Sequence, residues 1–452
     1  MEANDRIPSS TRLLTTCIAA ICAATAATAR QLPEAPANTD VVTNCGDSGP
    51  GSLRDVIASA GSGDTIDLTG LPCGQITLLT GAISIPQIDL SLNGPGRDKM
   101  LIYGGQVRGN GLLNQTGIGV LHIQDLTIAH GVNYHTIDDA RGGCIYSAGS
   151  VELFRSTVTG CTAYNYGALS ALGGGIFAAG QVYLDHSTVS GNYATAIGVG
   201  YASGGGVYAL NGFTSNYSTI SRNLVVNNID TPTDTPAFAG GVFARGAVLI
   251  ASSTISGNEG HIIGGVALVD RNGHGATIIN STISGNTSYE IGGVYAVVPL
   301  AIANSTIAFN TEVRASDGTN PYAFAAGLQI AYGGDTLQST IIGNNTASDL
   351  GEFDLSGSVA GIGGHNNLVM QFNIGVPGDT ARNDPQLGPL EDNGGPTHTQ
   401  RPFSPAVLGF GSNSLNLGWD QRGVGFPRSI GGLVDIGAYQ TNPDVIFING
   451  FD

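Results

Sequence analysis

Hydrophobic and polar positions alternate along most of this chain, in short runs that lack helical spacing. Thr65-Ile-Asp-Leu68, Gln75-Ile-Thr-Leu-Leu79, Ala82-Ile-Ser-Ile85 and Ile88-Asp-Leu-Ser-Leu92 are separated by Gly, Pro and Asn, which predicts short strands joined by turns. Further on, the alternation becomes a repeat. Ser187-Thr-Val-Ser-Gly-Asn192 returns as Ser253-Thr-Ile-Ser-Gly-Asn258 and Ser281-Thr-Ile-Ser-Gly-Asn286, with looser copies starting at Ser156, Ser218, Ser305 and Ser339. By subtraction, successive starts lie 31, 31, 35, 28, 24 and 34 residues apart. A period of roughly 20–50 residues marks a stacked architecture. A Gly-rich strand precedes the phrase, as in Gly142-Gly-Cys-Ile-Tyr146, Gly173-Gly-Gly-Ile-Phe177, Gly204-Gly-Gly-Val-Tyr208, Gly240-Gly-Val-Phe243 and Gly292-Gly-Val-Tyr295. The shortest repeat, 24 residues, holds about three short strands plus turns. The expected fold class is therefore all-β, a single-stranded parallel β-helix with one coil per repeat.

Stacked coils place equivalent residues in columns roughly 4.8 Å apart. Val158, Val189, Ile220, Ile255, Ile283, Ile307 and Ile341 form one expected inward column, and Ile145, Ile176, Val207, Val242, Val266, Val294 and Leu328 a second. β-Branched residues suit these positions because they are stiff and pack well on a pleat. Asn192, Asn223, Asn258, Asn286, Asn310 and Asn344 fall at the turn, where Asn tolerates a left-handed backbone and stacked amides bond along the column. Tyr146, Phe177, Tyr208, Phe243 and Tyr295 form a third column, directed outward by strict alternation. Left open, it would stack on sugars or on a partner protein. Coverage by the loops 162–172, 193–203, 224–239 and 311–326 is the favoured expectation, because monomers seldom expose large apolar stripes.

The ends differ from the middle. Residues 30–44 have the Pro/Ala/Asn/Thr composition of a linker. Gly49–Ala60 offers one short amphipathic helix, with Ser52 as N-cap, Asp55 three residues on, and Leu53, Val56 and Ile57 on one face. It is expected to cap the open N-terminal end, since a solenoid's terminal edge would otherwise invite pairing. Past about residue 346 the repetition fades. The turn-rich stretch 383–397 is expected across the last coils, and Leu433-Val-Asp-Ile-Gly-Ala-Tyr439 as a final strand. The divisions are a signal segment 1–29, linker 30–44, cap 45–63, repeats 64–345, C-terminal coils and irregular cap 346–440, and tail 441–452, without an independent second domain.

Composition narrows the class. Of 452 residues 69 are glycine, 41% are hydrophobic and 11% charged, which fits neither a helical bundle nor a disordered chain. The formal charge is −17 and Lys99 is the lone lysine, so nucleic acid and anionic membrane surfaces are not expected partners. Arg6 and Arg12 precede an apolar run from Leu13 to Ala27, followed by small residues through Ala29, the layout of a secretory signal. Later runs are too short for a membrane-spanning helix. Processing would remove Cys17 and Cys22 and leave Cys45, Cys73, Cys144 and Cys161, which in an exported chain suggest two disulfides. Three connectivities are open. The favoured one pairs Cys45 with Cys73 and Cys144 with Cys161, the latter because both replace column residues, a Gly and an Asn, within one coil. Neither these cysteines nor the scattered histidines have metal-site spacing, so no metal or cofactor is expected.

These residues resemble bacterial exported β-helix proteins of the choice-of-anchor Q type, whose repeats are similar to those of polymorphic outer-membrane proteins. The resemblance rests on Asp47-Ser-Gly-Pro-Gly-Ser-Leu-Arg54 and Gly63-Asp-Thr-Ile-Asp67 at the start, and on the repeats in the middle. At the end it rests on Asp392-Asn-Gly-Gly-Pro-Thr397, Ser404-Pro-Ala406, Asp420-Gln-Arg-Gly423 and Asp435-Ile-Gly-Ala-Tyr439. It implies a right-handed, pectin-lyase-like solenoid, export, and display at or beyond the cell surface. It implies no catalytic residues. The chain departs from the pattern in ending at Phe447-Ile-Asn-Gly-Phe-Asp452 without a sorting helix, similar to short tails on some secreted proteobacterial proteins.

Parallel β-helices also host polysaccharide lyases, an analogy at the level of fold. Alignment on the Ser-Thr-Ile phrase puts Arg155, His186 and Tyr217 at one position of consecutive coils, with Phe154, Asp185 and Asn216 one place earlier and Glu152 and Tyr183 nearby. A lyase needs a cation against a uronate carboxylate and a base for the adjacent proton, roles open to Arg155 and to His186 or Tyr217. Later coils carry Ser252, Asn280, Asn304 and Gln338 there. The competing reading is a solvated polar face. Binding candidates are Asp185, Asn216, Tyr146, Phe177 and Tyr208. Asp138-Asp139 with Arg141 would border the same site or take Ca²⁺, although such a pair without a ligand loop is more often a solvated turn. The expected function is a monomeric, non-catalytic, secreted or cell-surface scaffold whose loops meet a glycan or cell-surface partner. The alternative is a lyase of uronate-containing glycans.

Overall fold

The computed structural model describes residues 38–105, 108–167, 169–197, 200–227, 238–270, 272–313, 325–347 and 353–442. The signal segment, residues 443–452 of the tail, and parts of the loops 224–239 and 311–326 lie outside these residues. The described chain winds into a right-handed parallel β-solenoid of about 10 turns, the hand that parallel crossovers overwhelmingly take. Three long sheets run along it. A first face of 12 strands extends from Thr39–Val41 to Gly363–His365, a second of 11 from Gln75–Leu78 to Leu368–Val369, and a third of 10 from Ile83–Ile85 to Phe353–Gly357. One coil visits them in that order, for example Ser150–Phe154, Thr157–Thr159 and Ile176–Ala178. A five-stranded side sheet, which includes Val132–His135, Thr162–Asn165 and Tyr193–Ala196, fills the path between the second and third faces.

Both expected inward columns form. Val158 pairs with Val189, and the register continues through Ile220, Ile255, Ile283 and Ile307, all fully buried. Ile145 to Leu328 run likewise along the third face. The last copy of the phrase corrects the sequence alignment by one residue. Ile307 pairs with Ile342, and Ile341 lies beside Thr306. Ile341 packs instead on Val407 and Ile436 of the C-terminal segment. The doublets Ile341-Ile342 and Asn344-Asn345 satisfy the alternating pattern in either register, and only the packing on both sides of the sheet selects one.

The phrase's polar residues are interior. Asn192, Asn223, Asn258, Asn286 and Asn310 form a ladder in which each Nδ2 donates to the next Oδ1 at 2.8–2.9 Å. Each Oδ1 also accepts the backbone N–H of the Asn one coil before. The ladder starts at the Cys161 N–H and ends on Asn345 and the Asp354 carboxylate, so Asn345 takes the place expected for Asn344. A second ladder was not foreseen. The Ser187, Ser218, Ser253, Ser281 and Ser305 hydroxyls each accept the backbone N–H of the preceding coil's Ser and donate to a carbonyl two residues back. Buried polar groups are thus satisfied coil by coil. The Gly runs have a steric cause: a Cβ on Gly174 would lie 2.2 Å from the Gly205 carbonyl oxygen of the next coil.

Both favoured disulfides are present, Cys45–Cys73 and Cys144–Cys161, with Cα–Cα separations of 6.3 and 5.4 Å. The helix spans Leu53–Ser59, with Ser52 as N-cap and Leu53, Val56 and Ile57 buried in the main core. Thr39–Val41, inside the stretch with linker composition, pairs in parallel with Thr65–Asp67. At the far end Phe372, Ile374 and Val376 pack against the core. Residues 383–397 start on the outside of the last coils, as expected, where Asn344 donates to Asp384 and Leu387 packs beside Ile341 and Leu368. They lead into a segment that runs back along the corner between the first and second faces, where Thr254 donates to the His398 carbonyl, Asn280 to that of Trp419 and Asn304 to that of Ser412.

That segment is locked by two arginines. Arg422 forks onto Asp420 and lies between the rings of Phe426 and Tyr439, 4.2 and 3.7 Å from their centroids. Arg428 is fully buried and donates to the carbonyls of Gly437 and Asp435 at 2.8 and 2.7 Å. Burial pushes its guanidinium pKa down to about 10, against the pull of Asp420 and Asp435. Because Arg428 takes those carbonyls, Leu433–Tyr439 forms tight turns and not the expected final strand.

Candidate functional site: a corner column and a side groove

Where the first face turns into the second, the residue before the ladder Ser, or before its counterparts Leu126, Thr340 and Asn367, adopts a left-handed backbone. Asp125, Arg155, His186, Tyr217, Ser252, Asn280, Asn304, Ser339 and Asn366 form this corner column, with φ between 45° and 56°. Ser339 holds the place expected for Gln338, which pairs with Ala303 on the strand. The left-handed turn throws each side chain sideways, so Arg155, His186 and Tyr217 share one column in consecutive coils, His186 against Tyr217 and Arg155 turned back to Asp125. Arg155 forks onto Asp125, with Nε–Oδ1 2.9 Å and Nη2–Oδ2 2.6 Å. The Arg155 hydrogen bond holds the Asp125 carboxyl below its ordinary range. His186 Nδ1 meets Asp185 Oδ1 at 2.5 Å, while Asn216 Nδ2 donates to Asp185 Oδ2 at 2.9 Å. The His186 ring stacks on Tyr217 with centroids 5.0 Å apart. Arg155 and His186 are about half exposed, and each is already paired with a carboxylate. Of the neighbours, Glu152 is buried on the outer side of the first face, 2.9 Å from His122 Nδ1.

The third-face aromatics stack in register. Ring centroids are 5.6 Å apart for Tyr146–Phe177, 5.6 Å for Phe177–Tyr208 and 4.6 Å for Tyr208–Phe243, with planes within 10° of parallel. Phe177, Tyr208 and Phe243 are buried with Leu172 and Ala239 from two of the loops expected to cover them, and with Ile263 and Ile291, which lie outside those loops. Burial also raises the Tyr208 phenol pKa. Tyr146 remains half-buried, and the residue next to it in the preceding coil is Asn114. One ring face meets Phe177, and the other is turned toward a coil with no aromatic in that column.

At that end of the stack lies a concavity of about 530 Å³, lined by Tyr146 together with Asn110, Asn114, Asn133, Asp138 and Arg141, among others. Arg141 bonds Asp139 at 2.8 Å and sits 5.4 Å from the Phe177 ring centroid. Asn133 and Asn165 hold the adjoining loop through their Nδ2 groups, which donate to the carbonyls of Arg141 and Asp138 at 2.7 Å. Asp139 Oδ1 accepts the Ser170 N–H. The loop is thereby fixed in place by side chains from two coils.

No family model matches the chain, and no curated protein matches it. Among solved structures it is similar to the crystal structure of pectate lyase Pel9A, at 13% identity over 90% of this chain and 97% of that one, with a TM-score of 0.46.

The expectation that Asp138 and Asp139 border the Arg155 group is corrected by topology. They lie on the path between the second and third faces, whereas Arg155 sits between the first and second. Among the described residues no cluster of three or more metal-ligating side chains occurs. Asn110, Asn114 and Asn133 were missed by sequence reasoning. Their signal was weak, because these coils precede the clear repeats and cannot be aligned on the phrase.

Proposed function

We propose that the chain is an exported, non-catalytic β-helix scaffold of the choice-of-anchor Q type that binds a glycan on its flank as a monomer. The observation that carries this reading is the Tyr146 concavity, where the end of an aromatic stack meets amides and carboxylates on a side-chain-fixed loop. Sugars are recognised by such combinations, a ring face for the apolar side and planar polar groups for hydroxyls. Two disulfides favour an oxidising, extracellular setting. The segments behind the resemblance, Asp420–Gly423 and Asp435–Tyr439, supply the buried lock of the C-terminal segment, a structural task.

One observation favours the second reading, a uronate lyase at the corner. Arg155, His186 and Tyr217 occupy left-handed positions that Asn or Gly would hold with less strain, and such strain concentrates at working sites. A glycan array combined with a screen of uronate polymers for unsaturated products separates the two. Binding without turnover is expected. Turnover abolished by His186→Ala or Tyr217→Phe would sink the scaffold reading.

A further inference from the structure

We infer that the Tyr146 groove holds uncharged sugar units of a neutral glycan, and that it discriminates against uronates. This rests on the glycan-binding reading above and names its ligand class.

The platform comes first. Tyr146 lies within 4° of parallel to Phe177 in a stack anchored by buried Tyr208 and Phe243, so the half-buried ring that ends the stack beside Asn114 is held rigidly. A rigid ring loses little conformational entropy when a pyranose lies on it. The rim comes second. Asn110, Asn114, Asn133 and Asp138 offer planar amide and carboxylate groups suited to pairs of neighbouring hydroxyls. Asn133 is 4% exposed, and its Oδ1 is a buried acceptor without a protein partner. That oxygen is closed off from solvent, so Asn133 serves the groove as a fixed wall whose Nδ2 holds the Arg141 carbonyl.

Charge decides the class. The groove holds two carboxylates, Asp138 and Asp139, and its single guanidinium, Arg141, is already bonded to Asp139. Among the described residues a uronate carboxylate would meet two carboxylates against one guanidinium, with His135 the remaining titratable neighbour, on a chain of formal charge −17. A neutral sugar meets no such repulsion. Beyond the groove, the side sheet carries Tyr134 stacked on Tyr164 at 5.4 Å, with exposed Tyr166 6.4 Å further and exposed Leu169 on the groove wall.

The test uses the full chain, titrated calorimetrically with neutral oligosaccharides (glucan, galactan and mannan series) and with oligogalacturonate, at low and high salt. Variants are Tyr146→Ala and the loop-surface Asp138→Ala, with thermal melts to verify folding. A neutral series should bind with little salt dependence, about tenfold more weakly in Tyr146→Ala and severalfold more weakly in Asp138→Ala. Binding of oligogalacturonate alone, sensitive to salt and lost in Arg155→Gln, would overturn this inference while leaving glycan binding intact. Neutral binding unchanged in both groove variants would overturn the site in the same way. Absence of binding to every glycan would overturn both readings.

Discussion

Replacing Asn258 by Ala tests whether the buried amide ladder holds the solenoid together. Asn258 is fully buried and makes four side-chain bonds. Its Oδ1 accepts from the Asn223 N–H and from Asn223 Nδ2, and its Nδ2 donates to the Ile220 carbonyl and to Asn286 Oδ1, all at 2.9–3.0 Å. Asn223 Nδ2 keeps its bond to the Val189 carbonyl, and Asn286 Oδ1 keeps the Asn258 N–H. The Asn223 backbone N–H loses its ladder acceptor. Three further bonds at about 1 kcal/mol each, plus one orphaned buried donor at about 1–3 kcal/mol, give a loss of about 4–6 kcal/mol. Solenoid coils couple chiefly to their neighbours, so the loss should be local before it is global. Hydrogen exchange at the Asn223 amide should accelerate by about three to four orders of magnitude, as 1.4 kcal/mol is a factor of ten. Denaturant unfolding followed by the fluorescence of Trp419, the single tryptophan, should shift in the same sense. Asn258→Asp sharpens the test. The new carboxylate would face the Ile220 carbonyl and Asn286 Oδ1, both acceptors, so the fold would favour its protonated form and raise its pKa above the unfolded value. The variant should then lose stability as pH rises through that raised pKa. At the ladder's end the Asp354 carboxyl accepts from Asn345 and from the Gln371 N–H. A cost below about 1 kcal/mol for Asn258→Ala, with exchange unchanged, would refute the ladder's role.

Three further outcomes are expected. Cys144→Ser with Cys161→Ser should cost about 2–4 kcal/mol in thermal or denaturant melts, because the bond closes a 17-residue separation at the start of the ladder. Arg428→Met should release the C-terminal segment, seen as red-shifted Trp419 emission and proteolysis after residue 382, whereas an unchanged spectrum would show that Arg428 is dispensable. Asp335 is buried with one oxygen accepting the Leu300 N–H and the other unpaired, and burial raises its pKa to about 6. Its unfolded value is about 3.9, so the fold binds the extra proton between pH 4 and 6. Stability should fall across that window as pH rises, and Asp335→Asn should gain about 1–2 kcal/mol at pH 7.5 while removing the pH dependence; a loss at pH 7.5 would contradict the assignment.

The coil register was legible because one residue type dominates each column. Ile and Val at the inward position, Asn at the turn and paired Gly before the third-face strand are each required by a separate contact, and together they fix the frame. Legibility failed where the pattern was degenerate or the partner remote. Ile341-Ile342 carries no mark of which residue points inward until Val407 and Ile436 pack on the other. The Ser ladder escaped notice because Ser in a strand-to-turn phrase looks like a local cap, whereas its acceptor role lies one coil away. Arg422 and Arg428 are separated by five residues of turn from each other and meet Asp435 and Tyr439 only through the folded segment, so their motifs were visible without their purpose. The groove lay in coils that precede the clear repeats, and only Asp138, Asp139, Arg141 and Tyr146 of its lining had stood out.

The corner column links these observations. A left-handed residue other than Gly costs about 1 kcal/mol, so a run of them persists only where something offsets the cost. From Asn280 to Ser339 the offset is the C-terminal segment, which receives the amides of Asn280 and Asn304 and gives its Ser412 N–H to Ser339. From Asp125 to Tyr217 the offset is internal, an Arg–carboxylate fork and a His–Tyr stack. The boundary falls at Tyr217, against which Gly423 packs so closely that a Cβ there would come within 3.0 Å of the ring. The loss of charged and aromatic residues in the later coils therefore records where the returning segment docks, and need not mark the edge of a catalytic site. The Tyr146 groove lies outside that docking path, on the opposite side of the second-face strands, and it sets the half-buried ring that ends the aromatic stack beside amides and carboxylates.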